Sequence, residues 1–315
     1  MNSATTAASP ELDRRIVRLS RRYVKLDGVE LGLLDANGSP LMDGAELRRN
    51  MTRDGYLLVR GLLPAASVLA ARRVVLNHLA TAGHLDNSRP IDEGILKPGA
   101  AGMYLGGRKE LTHHPDFTAM AEAPELFGFF DRLFGEASMT FDYKWLRAVG
   151  TGEPTPPHYD VVFMGRGTVS KLFTCWVAMG DISLEEGPLA ILCGSDSLPS
   201  YQKVRETYGR ADVDRDSINS NFSYDPLEIT SLYGGQWKTA TFRTGDCLIF
   251  GMHTMHASLR NETQRVRISA DLRFQPRSQP VDERWIGANP IANYHWAVYP
   301  EKRIPVETSR KEWGV

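Results

Sequence analysis

The spacing of apolar and polar positions changes character along the chain. In its first part the apolar residues recur at helical intervals. Val68, Leu69, Val75, Leu76 and Leu79 form one stripe between Pro64, in a favoured first helical position, and Gly83, which ends the pattern. A second helix is expected from Pro124 to about Gly135. There Leu126, Phe127, Phe129, Phe130, Leu133 and Phe134 cover most of the circumference and call for a sheet to pack against. From 139 onward short strand-like runs dominate, at 139–143, 172–179, 190–193, 238–242, 247–250 and 266–274, with an earlier one at 56–60. Helices first and strands afterwards predict an α+β fold whose helices buttress one face of an antiparallel sheet system.

The remaining segments read as follows. Residues 1–12 are small and polar, too poor in apolar surface to offset the entropy of ordering, and are expected to form a frayed tail. In 13–26, Arg14, Arg15, Arg18, Arg21, Arg22 and Lys25 alternate with Ile16, Val17, Leu19 and Tyr23, which reads as a basic amphipathic helix with a solvated face. The stretch 87–114, rich in Gly and Pro, is a long loop expected to lie over a site as a lid, with Tyr104 and His113 as candidate substrate contacts. Polar residues interrupt the strands at 201–237, as a solvated excursion or as an insertion covering the substrate. The end of the chain, 276–315, carries Trp285, Trp296 and Tyr299 and is expected to wrap the sheets as irregular chain. The organisation expected is a tail and one domain, 13–315, with a mainly helical part at 13–138, a strand core at 139–275 and the C-terminal wrap.

Composition removes several function classes. The 315 residues suit one large core. With 37 Lys and Arg against 38 Asp and Glu, the net charge of −1 provides no field for nucleic acid or an anionic membrane. Cys175, Cys193 and Cys247 are odd in number, show no CxxC spacing and sit in apolar runs, as buried thiols do in a reducing compartment. No apolar signal core opens the chain and no run approaches the ~18 apolar residues of a membrane span. A soluble, cytoplasmic protein acting on a small molecule is expected.

Among the His-x-Asp triplets of the chain are His114-Pro115-Asp116 and His158-Tyr159-Asp160. In an extended segment residues i and i+2 share a face, so either pair can reach one metal ion and supply two-thirds of a two-histidine, one-carboxylate facial triad. Context separates them: strand-like runs follow Asp160, whereas the helix-like 124–134 follows Asp116. A third ligand must come from downstream, where His253 and His256 are both candidates. The run at 265–274 then alternates cleanly. Arg265, Arg267, Ser269, Asp271 and Arg273 lie on one face and Val266, Ile268, Ala270, Leu272 and Phe274 on the other. If the apolar face packs on the helices, the polar face turns inward, and a buried arginine requires an anionic partner. Arg273 on that face is a further candidate for substrate contact.

These pieces, in this order, resemble the phytanoyl-CoA dioxygenase family of Fe(II)/2-oxoglutarate-dependent oxygenases. The matching stretches are Gly-Tyr-Leu-Leu-Val-Arg-Gly-Leu-Leu-Pro at 55–64, Pro-His-Tyr-Asp at 157–160, Trp-Val-Ala-Met at 176–179, Glu-Gly-Pro-Leu at 186–189, Gly194-Ser195, Gly245-Asp246, His-Ala-Ser at 256–258 and Arg-Ile-Ser at 267–269. The resemblance covers about 50–275 and implies a double-stranded β-helix, a jelly-roll or cupin-like barrel. It implies His158, Asp160 and His256 as iron ligands, Arg267 as the arginine gripping the distal carboxylate of 2-oxoglutarate, and Trp176 and Ser258 as further co-substrate contacts. It also implies oxidation of a small organic molecule, typically hydroxylation, coupled to conversion of 2-oxoglutarate and O2 into succinate and CO2. Retention of Asp160 speaks against halogenation. The alternative from another class is a catalytically silent metal-binding barrel acting as sensor or scaffold.

Overall fold

The computed structural model of the chain describes residues 16–100, 102–152 and 154–315. The expected tail at 1–12, with Arg14 and Arg15, lies outside them. A hairpin of β1 (Ile16–Leu19) and β2 (Arg22–Lys25) comes first, followed by β3 (Leu31–Leu33), α1 (Gly44–Asp54), β4 (Tyr56–Val59) and α2 (Ala65–Thr81). Then come β5 (Met103–Tyr104), α3 (Lys109–Thr112), α4 (Pro115–Ala121), α5 (Pro124–Phe134), β6 (Ser138–Thr140) and β7 (Trp145–Val149). The second half holds α6 (Val161–Met164), β8 (Phe173–Ala178), β9 (Leu189–Cys193), α7 (Gln202–Glu206), α8 (Pro226–Tyr233), β10 (Gln236–Thr239), β11 (Cys247–Gly251), β12 (His256–Ser258), β13 (Arg267–Pro276), α9 (Tyr294–Val298) and α10 (Val306–Trp313).

The basic stretch expected to be helical is instead the β1–β2 hairpin. Ser20 takes a positive φ of 51° in its tight turn, and the hairpin is tied to the chain after β12 by Ser20 N–H to Ser258 O and Arg260 N–H to Arg18 O. Four-residue strands are too short for their period to exclude a helix, and this long-range pairing decides the outcome. The C-terminal wrap also departs from expectation, because it contains α9 and α10 rather than irregular chain alone. No helix among the described residues is long and apolar enough to cross a membrane.

Two sheets carry the site. One has seven strands in the order β4-β11-β8-β13-β7-β5, with β6 also pairing β13; the other has four, β12-β9-β10-β3. β13 is central in the larger sheet, antiparallel to both β7 and β8. Its apolar residues Val266, Ile268, Ala270, Leu272 and Phe274 join the side chains of α2 and α5 in one buried cluster. Phe274 stacks on Phe130 of α5 with ring centroids 4.2 Å apart. The opposite face of the same sheet meets the smaller one. There Leu58, Trp176, Leu248 and Phe250 are buried with Leu189 and Ile191 of β9. Side chains directly opposite across a strand pair share a face. Arg147 and Trp145 of β7 and Thr174 and Trp176 of β8 therefore lie on the same side as Ser269, Asp271 and Arg273. That face is apolar at one end and polar at the other, and the polar end holds the site.

Candidate metal centre

The main chain brings two histidines together before any side chain acts. His158 and His256 form an isolated antiparallel bridge, each N–H donating to the other's carbonyl at 3.0 Å, and their rings lie 4.1 Å apart. Immediately after the bridge the chain turns, so that Asp160 has helical backbone angles at the start of α6. Asp160 thus reaches the histidines through this turn and not through the extended i, i+2 geometry that its spacing suggests. Ligand atoms of His158, Asp160 and His256 all lie within 4.8 Å of one another, and all three residues are buried.

Both imidazoles are oriented in the same way. Nδ1 of His158 lies 2.9 Å from Pro156 O, and Nδ1 of His256 lies 3.1 Å from Thr254 O. A carbonyl only accepts, so each Nδ1 must carry the proton, which leaves the Nε2 lone pairs free. Those Nε2 atoms face Asp160 Oδ1 at 3.9 Å and 3.7 Å. Burial keeps both rings neutral: with help from the second imidazole it pushes His158 down to about 3, and it lowers His256 too. The other carboxylate oxygen is occupied, since Thr174 Oγ1 donates to Asp160 Oδ2 at 2.6 Å and Arg273 Nη2 donates to it at 3.0 Å. Burial alone would raise the Asp160 pKa, but Arg273 and then the imidazoles hold it well below the usual carboxylate range. Two neutral Nε2 lone pairs and one fixed carboxylate oxygen make a donor set that suits a divalent first-row metal.

Arg267 is only 3% exposed, yet among the described residues it pairs with no carboxylate. Nη1 donates to Ser269 Oγ at 2.7 Å, while Nε has no partner. Burial, reinforced by the charge of Arg147, pushes its pKa down to about 10. The neighbouring Arg147 is satisfied by Asp271 at 2.7 Å. A buried guanidinium with an open donor is a receptor for an anion, and a carboxylate fits its fork. Trp176 lies beneath it, 5.9 Å from the guanidinium carbon to the ring centre. Ser258 is buried, and its Oγ accepts from Thr155 N–H at 2.8 Å.

The other candidates separate by position. Tyr104 and Arg273 line a cavity of about 420 Å3 that reaches Asp160. His113 is exposed on the surface and does not line it. His253 turns away from the centre, with Nε2 at 3.3 Å from Gly209 O. The triplet at 114–116 lies elsewhere: His114 caps α4, and its Nδ1 is 3.7 Å from Asp116 Oδ2 on the surface. Tyr159 points away from the metal ligands, its hydroxyl donating to Ser195 O at 2.9 Å. Sequence reasoning missed Trp145, Thr174 and Asn293. Thr174 was findable, because it stands opposite Arg273 once the two strands are paired; Asn293 carried no local signal.

A face of two histidines and one carboxylate, with an unpaired arginine in the same buried layer, is the donor set of the non-haem iron oxygenases. The comparisons with known proteins agree. The family model "Phytanoyl-CoA dioxygenase (PhyH)" matches residues 51–269, a span that contains His158, Asp160, His256 and Arg267. The chain belongs to the phytanoyl-CoA dioxygenase family. No curated protein sequence matches it significantly. Among solved structures it is similar to the epimerase SnoN in complex with Fe3+, alpha ketoglutarate and nogalamycin RO, with TM-score 0.53, 21% identity, and 75% of this chain and 85% of that chain covered. It is also similar to apo EctD from S. alaskensis, with TM-score 0.53, 19% identity and coverages of 83% and 85%. A third likeness is to the non-heme alpha ketoglutarate dependent carbocyclase SnoK from nogalamycin biosynthesis, with TM-score 0.52, 18% identity and coverages of 76% and 88%. At these identities the likeness is one of fold.

Proposed function

We propose that the protein is an Fe(II)- and 2-oxoglutarate-dependent dioxygenase that hydroxylates a small organic molecule, built as one catalytic domain on a double-stranded β-helix. The observation that carries this reading is the pairing of two unlike groups on buried side chains. One is a three-ligand face with free lone pairs, and the other is a cation, Arg267, with an open donor.

In this reading His158 Nε2, His256 Nε2 and Asp160 Oδ1 would hold the iron. Iron bound there would supply activation of O2, coupled to decarboxylation of 2-oxoglutarate to succinate and CO2. The chain's own part is positional. Arg267, steadied by Ser269 Oγ, receives the distal carboxylate of 2-oxoglutarate. Thr174 and Arg273 occupy Oδ2, which commits Asp160 to the metal through Oδ1 alone. The cavity at Asp160 takes the substrate, and its aromatic walls keep water from the reacting carbon. Tyr104, at the mouth, and Arg273 are the substrate-side residues, with Trp176 and Ser258 supporting the co-substrate.

The test is anaerobic titration of the iron-loaded protein with 2-oxoglutarate, followed by a succinate-release assay against a panel of small molecules. Mass spectrometry then looks for one added oxygen in the substrate. Tight co-substrate binding with no succinate from any panel member, and none in its absence, would favour the silent sensor or scaffold.

A further inference from the structure

The cavity at Asp160 has a chemical character that narrows the substrate class, an inference that rests on the proposed oxygenase reading. Its walls are largely aromatic. Tyr143, Trp145 and Trp285 pack on one another, with ring centroids 4.7 Å apart for Tyr143 and Trp145, 5.1 Å for Tyr143 and Trp285 and 4.7 Å for the two tryptophans. Phe163 and Trp296, perpendicular at 5.5 Å, line it as a second group. Ring faces held rigid by their neighbours favour a flat guest that stacks or meets them edge-on.

An aromatic box often takes a cation, but the charges here oppose one. The cavity's guanidinium groups are Arg147 and Arg273, and its one lining carboxylate is Asp160. Asp160 is engaged through Oδ2 by Arg273 and Thr174, and its Oδ1 is turned to the two imidazoles. No second carboxylate lines the cavity to balance an ammonium group against the guanidinium groups, so the space suits a neutral or anionic molecule.

One polar group at the wall is open, the Asn293 amide, and it donates. The indole N–H of Trp285 is sealed, by contrast, with no partner among the described residues. Asn293 is 7% exposed; its Oδ1 accepts from Arg284 Nη1 at 2.8 Å, and its amide hydrogens bond to none of the described residues. The Arg284 bond settles which end of the amide is which, since a guanidinium only donates. Arg284 is itself held by Asp282 at 2.6 Å and by Phe163 O at 2.9 Å, so the amide is aimed by a fixed support. The preceding residue, Ala292, adopts φ 54°, a conformation unfavourable for a residue with a Cβ and the kind of local strain that gathers at binding sites.

We infer that the substrate is a planar ring compound, neutral or anionic, whose carbonyl or carboxylate oxygen accepts a hydrogen bond from Asn293 Nδ2. The cavity of about 420 Å3 has room for two fused rings with substituents.

The test uses the full-length, iron-free protein and calorimetric titration with four naphthalene probes: naphthoate, acetylnaphthalene, naphthylmethylammonium and naphthalene itself. Naphthoate and acetylnaphthalene should bind, and the ammonium compound should bind roughly tenfold or more weakly. Asn293→Asp keeps the acceptor for Arg284 while removing both donors, and should invert the preference between naphthoate and the ammonium probe. Naphthalene should bind Asn293→Asp as it binds the native protein, whereas a misfolded variant would lose it. Equal or tighter binding of the ammonium probe to the native protein, an unaltered order in Asn293→Asp, or no binding of any probe overturns the inference. Because neither iron nor 2-oxoglutarate is present, such a failure leaves the oxygenase reading to its own succinate assay.

Discussion

Arg273 donates from Nη2 to Oδ2 of Asp160 at 3.0 Å, across 113 residues of sequence. The bond does two things at once. It turns Oδ1 toward the two imidazoles, and it keeps the carboxylate charged in a place where burial alone would protonate it.

Replacing Arg273 by Met should therefore lower Fe(II) affinity by about tenfold to a hundredfold, the usual effect of losing the group that orients a metal ligand. Thr174→Val should act in the same direction and less strongly, because it removes a neutral hydroxyl. Competition against a chromogenic chelator measures both, and native-like affinity in Arg273→Met would mean that Asp160 is oriented without it.

The His-x-Asp triplets at 114–116 and 158–160 make opposite predictions. His158→Ala, Asp160→Ala and His256→Ala should each abolish tight iron binding and succinate release. His114→Ala and Asp116→Ala should leave both intact, because that pair lies on the surface at the start of α4. Calorimetric metal titration of the five variants decides between the sites.

Arg267→Lys retains the charge and loses the two-pronged fork. The affinity for 2-oxoglutarate should fall by about 1.5 to 3 kcal/mol, the scale of a charge-assisted hydrogen bond, with iron binding preserved. Arg147→Lys should weaken 2-oxoglutarate far less, since Asp271 already satisfies that side chain. If the order of the two variants is reversed in an anaerobic titration, the co-substrate is anchored by the other arginine.

The iron-free protein should be acid-sensitive. Burial first, then the neighbouring imidazole, pushes His158 down to about 3 from an ordinary value of 6.5. The unfolded chain therefore takes up a proton that the folded chain refuses. Stability is complete above about pH 6.5 and is lost as pH falls toward about 3, at up to about 1.4 kcal/mol per pH unit for each such histidine. Denaturant midpoints measured across that window should fall, and His158→Gln should give a shallower slope. Equal slopes in both proteins would place the acid sensitivity in other groups.

Much of this was legible because local rules and tertiary packing agreed. Pro64 and Gly83 bracket α2, and Pro124 and Gly135 bracket α5, as their capping chemistry requires. The alternation in β13 separates the helix-facing residues from the site-facing ones, and its inward arginine face followed from where the apolar face had to go. Other elements obeyed rules that were passed over. Asp43 and Glu46 form the start of a capping box for α1, with Asp43 accepting from Glu46 N–H, and Gly55 closes that helix at φ 76°.

Of the two readings of the polar stretch 201–237, the solvated excursion fails for a different reason. Its run of aspartates reads as solvated, but Asp212 pairs with Arg166 at 2.7 Å and Asp214 lies 3.4 Å from Arg284, partners 46 and 70 residues away. Tyr201, Tyr208, Phe222 and Trp237 from the same stretch are fully buried. Charge neutralisation at that range leaves no trace in local composition. The orientation of Asp160 escaped for the same reason, since Arg273 and Thr174 meet it only after three segments have folded together.

The cavity wall has a consequence for how the protein can diverge. Trp285, Asn293 and Trp296 line it from beyond residue 269, where the family likeness stops, whereas the three ligand residues and Arg267 all lie within the matched span. Part of the choice of what the reagent meets is thus written outside the passage that holds the reagent, while Tyr143, Trp145 and Phe163 contribute from within it. Grafting the residues beyond 276 from a relative should alter the molecule recognised while the metal ligands stay as they were, so one side of the cavity can change without renegotiating its metal.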